Sequence, residues 1–211
     1  MAATAAKPRP HAERRARARE MLRQEILDAA RRLFVREGYE NVSMRRIAEK
    51  IGYSPTTIYL YFKDKGELIF ALCEETFSRL AQQLQEIENS AGDPVENLKK
   101  GLRVYVDFGL NHPHHYLLSF VFPHAEWEDR ARYTSPESMG MKAFGFLGRG
   151  VEACVRQGKF RQVDVRAASQ ALWAAMHGVT SLLITHQQFP WVRKEDLVES
   201  VLDAAVEFLK A

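Results

Sequence analysis

Cysteine is scarce in this sequence of 211 residues. There are two, Cys73 and Cys154; they have no metal-ligand spacing and read as free thiols in a reducing compartment, not as a disulfide framework. Long apolar runs are missing as well: no stretch reaches the roughly 18 residues that a membrane-spanning helix needs. The N-terminal residues carry charge where a secretory leader would carry an apolar stretch, so the expected location is the cytoplasm. The sequence has no G-x-x-x-x-G-K-[ST], G-x-S-x-G, H-E-x-x-H or G-x-G-x-x-G. Gly145-x-x-Gly148-x-Gly150 holds its glycines in the reverse order, with no strand before them. Neither an enzyme nor a cofactor is expected. Period-two alternation and internal repeats are also absent, which predicts an all-α protein.

Hydrophobic residues make up 46% of the chain, ample for a packed core. The net charge of +3 hides a gradient. Residues 1–65 hold fifteen Lys/Arg against eight Asp/Glu, a net of +7, and the remainder is net −4. A basic head on a mildly acidic body suits a polyanionic partner for the head alone.

Residues 1–19, with Arg14, Arg15, Arg17 and Arg19 crowded together, lack apolar periodicity and read as a flexible basic arm. From Glu20 the pattern turns helical, with Ile26, Ala30, Leu33 and Phe34 on one face and Gly38 as the stop. Ser43 can cap a short helix that turns Ile47 and Ala48 inward, Gly52 suits a left-handed turn, and Ser54 with Pro55 can start the next. Two short helices around such a turn are a helix-turn-helix signature. Asp64-Lys65-Gly66-Glu67 is a capping box for a long fourth helix to about Asn89. Further helices are expected from Asp93-Pro94 to Asn111, from Pro113, from Ser135-Pro136 to Gly158, from Asp164 to Gln187 and from Lys194 to Lys210. Pro123–Ser135 reads as a loop. Nine helices result, in three parts: the arm at 1–19, a three-helix domain with the helix-turn-helix at 20–65, and a helical body at 66–211.

The stretch from Ile26 to Leu72 resembles the tetracycline-repressor (TetR) family of regulators. Ala29-Ala30-x-x-Leu33-Phe34, Gly38-Tyr39, Ser43-x-x-x-Ile47-Ala48, Gly52-x-Ser54, Tyr59-x-Tyr61-Phe62 and Lys65-x-x-Leu68 carry the likeness. Ser43, Ile51 and Tyr53 depart from the residues usual at their places. Farther on, Trp173-x-x-x-His177-Gly178, after Asn111-His112-Pro113-x-x-Tyr116, is similar to the branch with a Trp-His-Gly motif. The resemblance implies a ligand-responsive repressor, a homodimer on a palindromic double-stranded operator.

In a helix-turn-helix the second helix lies in the major groove with its N-terminal residues at the base edges. That turns Pro55, Thr56, Thr57 and Tyr59 toward DNA, with Ile58 and Phe62 inward. Their methyls, ring and hydroxyls suit thymine and mixed contacts. The resemblance implies a base contact for Arg45 and phosphate contacts for Ser43, Ser54, Tyr61 and Lys65.

The body is rich in aromatics, among them Phe122, Trp127 and Phe146, and Gly140, Gly145, Gly148 and Gly150 interrupt one helix. A cavity for an apolar or aromatic effector is expected, with Tyr105, Phe108, His112, Tyr116, Phe120, Phe144, Trp173 and His177 as candidate contacts. His112, His114, His115 and His124 invite a metal, but no Cys or regularly spaced carboxylate completes a coordination set, so none is expected. The helix around Trp173 is apolar nearly all round, and the last carries a broad apolar face. Together they predict a two-fold dimer interface. A purely architectural DNA binder is the competing reading, and it has no need of so aromatic a body.

Overall fold

The computed structural model describes residues 10–121 and 130–210 and is helical throughout. The expectations at Phe122, His124 and Trp127, and residues 1–9 of the arm, lie outside the described residues. By contacts the chain divides into two compact units, Met1–Ala71 and Leu72–Ala211. The division falls within the fourth helix, not at its start.

The head holds α1 (Pro10–Glu37), α2 (Met44–Ile51), α3 (Pro55–Tyr59) and the start of α4 (Lys65–Glu88). Residues 10–19 are the first correction, because they are helical and not a flexible arm. Ala, Arg and Glu are strong helix formers, and extending a helix already nucleated at Ile26–Phe34 adds a hydrogen bond per residue without needing an apolar face. Gly38 ends α1 with φ of 81°. Ile26, Phe34, Ile47, Ile58, Phe62 and Leu68 close the core, each 2% exposed or less. α3 is shorter than expected and gives way after Tyr59 to a turn in which Tyr61 and Phe62 donate to the Ile58 carbonyl.

The body contains the rest of α4, then α5 (Pro94–Asn111), α6 (Pro113–Tyr116), a π-helical turn at Leu117–Val121, α7 (Arg130–Tyr133), α8 (Met139–Arg156), α9 (Val165–Thr185) and α10 (Lys194–Glu207). Ten α-helical segments among the described residues exceed the nine expected, because α7 stands in a stretch read as loop. Its last carbonyl, on Tyr133, accepts the Ser138 hydroxyl at 3.0 Å. That same serine displaces Ser135 as the cap of α8 by accepting the Met141 N–H at 3.2 Å, while Ser135 bonds Glu137 locally. No named strand occurs among the described residues, only an isolated bridge between Phe160 and Lys210.

Helix α5 is the hub of the body and packs against α8, α9 and α10. Small residues let it approach. A Cβ on Gly109 would sit 2.4 Å from Cγ2 of Thr180 and 2.8 Å from Cδ2 of Tyr116. Gly109→Ala is therefore expected to destabilise by about 1–3 kcal/mol through overpacking. Gly145→Ala meets only the flexible Arg149 guanidinium at 3.0 Å and should be neutral or stabilising by up to about 1 kcal/mol. Thermal melts of the two variants check the contrast.

Candidate DNA-reading face and effector cavity

On the head, each short helix is held by its own caps. The Ser43 hydroxyl accepts the Arg46 N–H at 3.1 Å. Gly52 at φ 75° closes α2, where the Tyr53 N–H reaches the Ala48 carbonyl at 3.0 Å. The Ser54 hydroxyl accepts the Thr57 N–H at 3.2 Å and lies 3.0 Å from the Thr57 hydroxyl. With lone pairs thus engaged, the O–H of Ser43 remains able to donate to a phosphate oxygen.

Exposure sorts the candidate contacts. Ser43, Arg45, Ser54, Thr56 and Tyr59 are exposed, Pro55, Thr57, Tyr61 and Lys65 half-buried, and Ile58 faces the core. Arg45 pairs with Glu49 at 3.1 Å in full solvent, a contact that a base edge can displace at little cost. Arg46 reaches Glu37, and Arg36 with Arg46 holds the Glu37 carboxyl below the usual carboxylate range. Lys65 differs from a free phosphate anchor. Its ammonium donates to the Tyr39 carbonyl at 2.9 Å and lies 3.9 Å from the centroid of the Tyr39 ring, tying the α1–α2 turn to the start of α4. Tyr53 and Leu60, 42% and 70% exposed, belong to this surface and were not picked from sequence. The signal for Leu60 was its place between the inward Ile58 and Phe62.

In the body a cavity of about 1560 Å³ opens between α4, α5, α8 and α9. Tyr105, Phe120, Phe144 and Trp173 line it, and Phe108, His112, Tyr116 and His177 do not. Phe108 is buried against the His112 ring, at 5.3 Å between centroids. Tyr116 is wholly buried, and its hydroxyl lies 2.7 Å from Nδ1 of His177 and 3.1 Å from the His177 carbonyl oxygen. The Tyr105 hydroxyl stands 3.1 Å from the same Nδ1. Two phenols around one ring nitrogen favour a neutral imidazole that accepts there, and burial lowers the His177 pKa below its usual value. The two tyrosines are pushed up by burial, Tyr105 to about 12, and stay protonated. Tyr105 is thus the cavity-facing member of a polar cluster whose other members sit behind it.

Of the four glycines in α8, Gly140 and Gly150 line the cavity and Gly145 and Gly148 do not. The lining also carries polar groups that sequence reasoning missed: Asn97, Arg156, Gln157 and Arg166. Oδ1 of Asn97 is buried without a hydrogen-bond donor among the described residues. Its signal was the four-residue spacing Asn97–Gly101–Tyr105, a row beside the apolar Leu98–Leu102 row of α5. Burial raises the thiols of Cys73 and Cys154 to about 12 and about 11, which makes both unreactive near neutral pH. Among the described residues no group of three or more His, Cys, Asp or Glu could hold a metal ion, and no helix is long and apolar enough to cross a membrane.

Residues 26–72 match the family model described as bacterial regulatory proteins, tetR family, and residues 98–209 match that of the tetracyclin repressor-like C-terminal domain. The HTH-type transcriptional regulator SAB2452 of Staphylococcus aureus is 34% identical over 89 residues, 42% of this chain and 48% of that protein. The HTH-type transcriptional repressor AcnR of Corynebacterium diphtheriae is 44% identical over 66 residues, 31% of this chain and 35% of that protein. The chain thus spans about half or less of the length of these curated relatives. Two solved structures share the fold at low identity. The transcriptional regulator FadR of Bacillus subtilis, in complex with stearoyl-CoA, gives a TM-score of 0.76 at 21% identity, over 87% of this chain and 97% of that one. The fatty acid degradation regulator FadR of Bacillus halodurans gives 0.73 at 20%, over 95% and 97%.

The contacts of the head predict two different mutant signatures. Thr57→Ala should cost about 1–3 kcal/mol in operator affinity and relax selectivity at one base pair. Lys65→Ala, which removes the tie to Tyr39, should lower the thermal midpoint of the free protein as well as weaken binding to all sequences alike. Binding titrations on selected and random duplexes, with melts of the unbound proteins, separate the two. Equal losses on both duplexes for Thr57→Ala would remove it from the base-reading set.

Proposed function

The chain belongs to the TetR family of bacterial regulatory proteins, and we propose that it is a transcriptional repressor, released from a palindromic operator when an effector fills the body cavity. The observation that carries the reading is the pairing of a capped, exposed α3 in one unit with a large apolar cavity in the other. No catalytic step is assigned to it, and its place of action is the cytoplasm, where its DNA is.

The cavity supports a particular class of effector. At about 1560 Å³ it exceeds the roughly 300–1,000 Å³ of common small-molecule sites. Leu80, Leu84, Leu98, Leu102 and Leu147 make much of its lining apolar, and Asn97, Arg156 and Arg166 come to it from the start of α5, the end of α8 and the start of α9, with Glu88 and Glu152 also on the wall. A long acyl chain with a polar head fits that distribution, and the Bacillus subtilis regulator with stearoyl-CoA supports the choice. Tyr105 offers the chain one polar contact part-way along.

A dimer is part of the same reading. Ala171, Leu182 and, less fully, Gly178 leave an apolar stripe on α9 facing solvent, and Leu197, Val201, Ala204 and Phe208 repeat at helical spacing on α10. Phe208 is 74% exposed and Leu182 44%. A second copy covering both helices removes that surface from water and supplies two heads for two half-sites. Leu182→Asp is expected to yield monomers with weak operator affinity, because the carboxylate would be buried unpaired in the interface. Val201 is the poorer probe, since it also packs on the core of its own chain. Sedimentation of the wild type as a monomer at micromolar concentration would defeat the dimer.

The route to the head is α4, one continuous helix whose first residues belong to the head and whose Phe77, Leu80 and Leu84 line the cavity. Two heads must stand about 34–36 Å apart to enter successive major grooves, so a small movement of α4 is enough to disfavour binding. A ligand shifts such an equilibrium only by its differential affinity for the two states, typically about 1–3 kcal/mol. Linkage then requires that operator weaken effector binding by the factor by which effector weakens operator binding. Paired titrations with stearoyl-CoA as the probe, with and without saturating operator, test this. Acyl-CoA affinity indifferent to operator would leave a constitutive DNA binder.

A further inference from the structure

We propose that the first turns of α1 carry a second DNA-contacting surface, an arginine row that grips the phosphate backbone flanking the segment read by α3. The proposal rests on the DNA-binding reading above. Residues Glu13–Met21 are all exposed, and the buried register of α1 begins only at Ile26. This stretch therefore stands as helix without a core to cover, and it carries Arg14, Arg15, Arg17 and Arg19 against only Glu13 and Glu20. Among the described residues none of these four arginines has an acidic partner.

Their arrangement has a direction. Side chains four apart on a helix stack into a row along one side, and Arg15, Arg19 and Arg23 form one. Contacts fix where its inner members lie. The Arg23 guanidinium is over the Phe62 ring, 5.4 Å from the centroid, and the Arg19 guanidinium is over the Tyr61 ring at 5.8 Å. Tyr61 and Phe62 belong to the turn that directly follows α3. The row thus runs outward from the end of the DNA-reading helix, and Arg15 is its next member, about 6 Å farther along the axis. Arg14 and Arg17 lie on the other side of the helix.

Duplex DNA continues beyond the bases that are read, with one negative charge per about 1.7 Å of axis. Guanidinium is the side chain whose planar fork best matches phosphate oxygens. Contacts of this kind add affinity and salt dependence without sequence preference. The competing account is a solvated charge run, in which all four arginines act alike through net charge.

The two accounts part under substitution. A duplex selected from a random library by the full-length chain is prepared with and without flanking base pairs, and binding is measured across a range of salt concentrations. Arg→Gln preserves helix propensity, so Arg15→Gln/Arg19→Gln and Arg14→Gln/Arg17→Gln both keep α1 formed, which circular dichroism checks. On the flanked duplex the first pair should flatten the slope of log K against log salt by about 1–2 units and the second should leave it unchanged. On the trimmed duplex the first pair should match the wild type. Equal flattening by both pairs, or by neither, overturns the arginine row while leaving DNA binding by the head intact. Failure of the wild-type chain to select any duplex overturns both.

Discussion

A helix of five residues cannot stand on its own hydrogen bonds. Nucleation is unfavourable, and isolated helices shorter than about 12–15 residues are marginal in water. Helices α2 and α3, at eight and five residues, exist because Ser43, Gly52 and Ser54 satisfy backbone groups at their ends and because Ile47, Ile58 and Phe62 are buried in the core of the head. The surface that would read DNA is held in shape by its edges and its underside, and so its outward residues are free of structural duty. Thr56, Tyr59 and Leu60 are exposed, so their substitution takes no side chain out of the head's core. Lys65 stands apart from them, since its ammonium is part of what holds the turn before α2.

The body solves a different problem, which is keeping a large cavity open in a helical bundle. Close contact at Gly109 and again at Gly150, where an added Cβ would lie 3.0 Å from Leu98, brings α5 hard against α9 and α8 on two levels. Between those levels the side chains leave space. The wall is stiffened by the cluster of Tyr105, Tyr116 and His177, in which the rings of Tyr116 and His177 stack at 5.5 Å. Glu74 of α4 accepts the Met139 N–H at 3.0 Å and so caps α8 from outside. A buried polar cluster of this kind is stable only when each member is satisfied, which favours one arrangement of α5, α6 and α9 over its alternatives.

Much of this was legible. Caps at Ser43, Ser54, Asp93 and Asp164 announce their helices by residue type and position, and the inward faces of α2 and α3 follow from spacing. The failures have physical causes. Apolar periodicity is blind to a helix that buries nothing, and the first turns of α1 are such a helix. Ser135 and Ser138 are both competent caps, and only the tertiary contact of Ser138 with the Tyr133 carbonyl decides between them. Of the eight aromatic and histidine candidates, Tyr105, Phe120, Phe144 and Trp173 line the cavity, Tyr116 and His177 sit behind Tyr105, and Phe108 and the exposed His112 pack on each other away from the lining. Residue type reports that a side chain is large and partly polar, not which side of a helix the void lies on. Asn97, Arg156 and Arg166 escaped because polar residues at helix ends look like ordinary solvated surface until a cavity opens beside them.

Charge and cavity meet in the energetics of switching. A net charge of +7 on residues 1–65 against −4 on the remainder favours attraction of the head, and not of the body, to phosphate. The sequence-independent part of such a head's affinity for DNA is electrostatic. On the reading proposed above, an effector in the body would leave those charges in place and act only on the geometry by which two heads of a dimer bind together. Loss of simultaneous engagement would then remove the effective concentration that binding of the first head gives to the second. The coupling of about 1–3 kcal/mol that is typical between linked sites would, on that reading, be applied to the bivalent step and leave each head's own attraction to DNA unchanged.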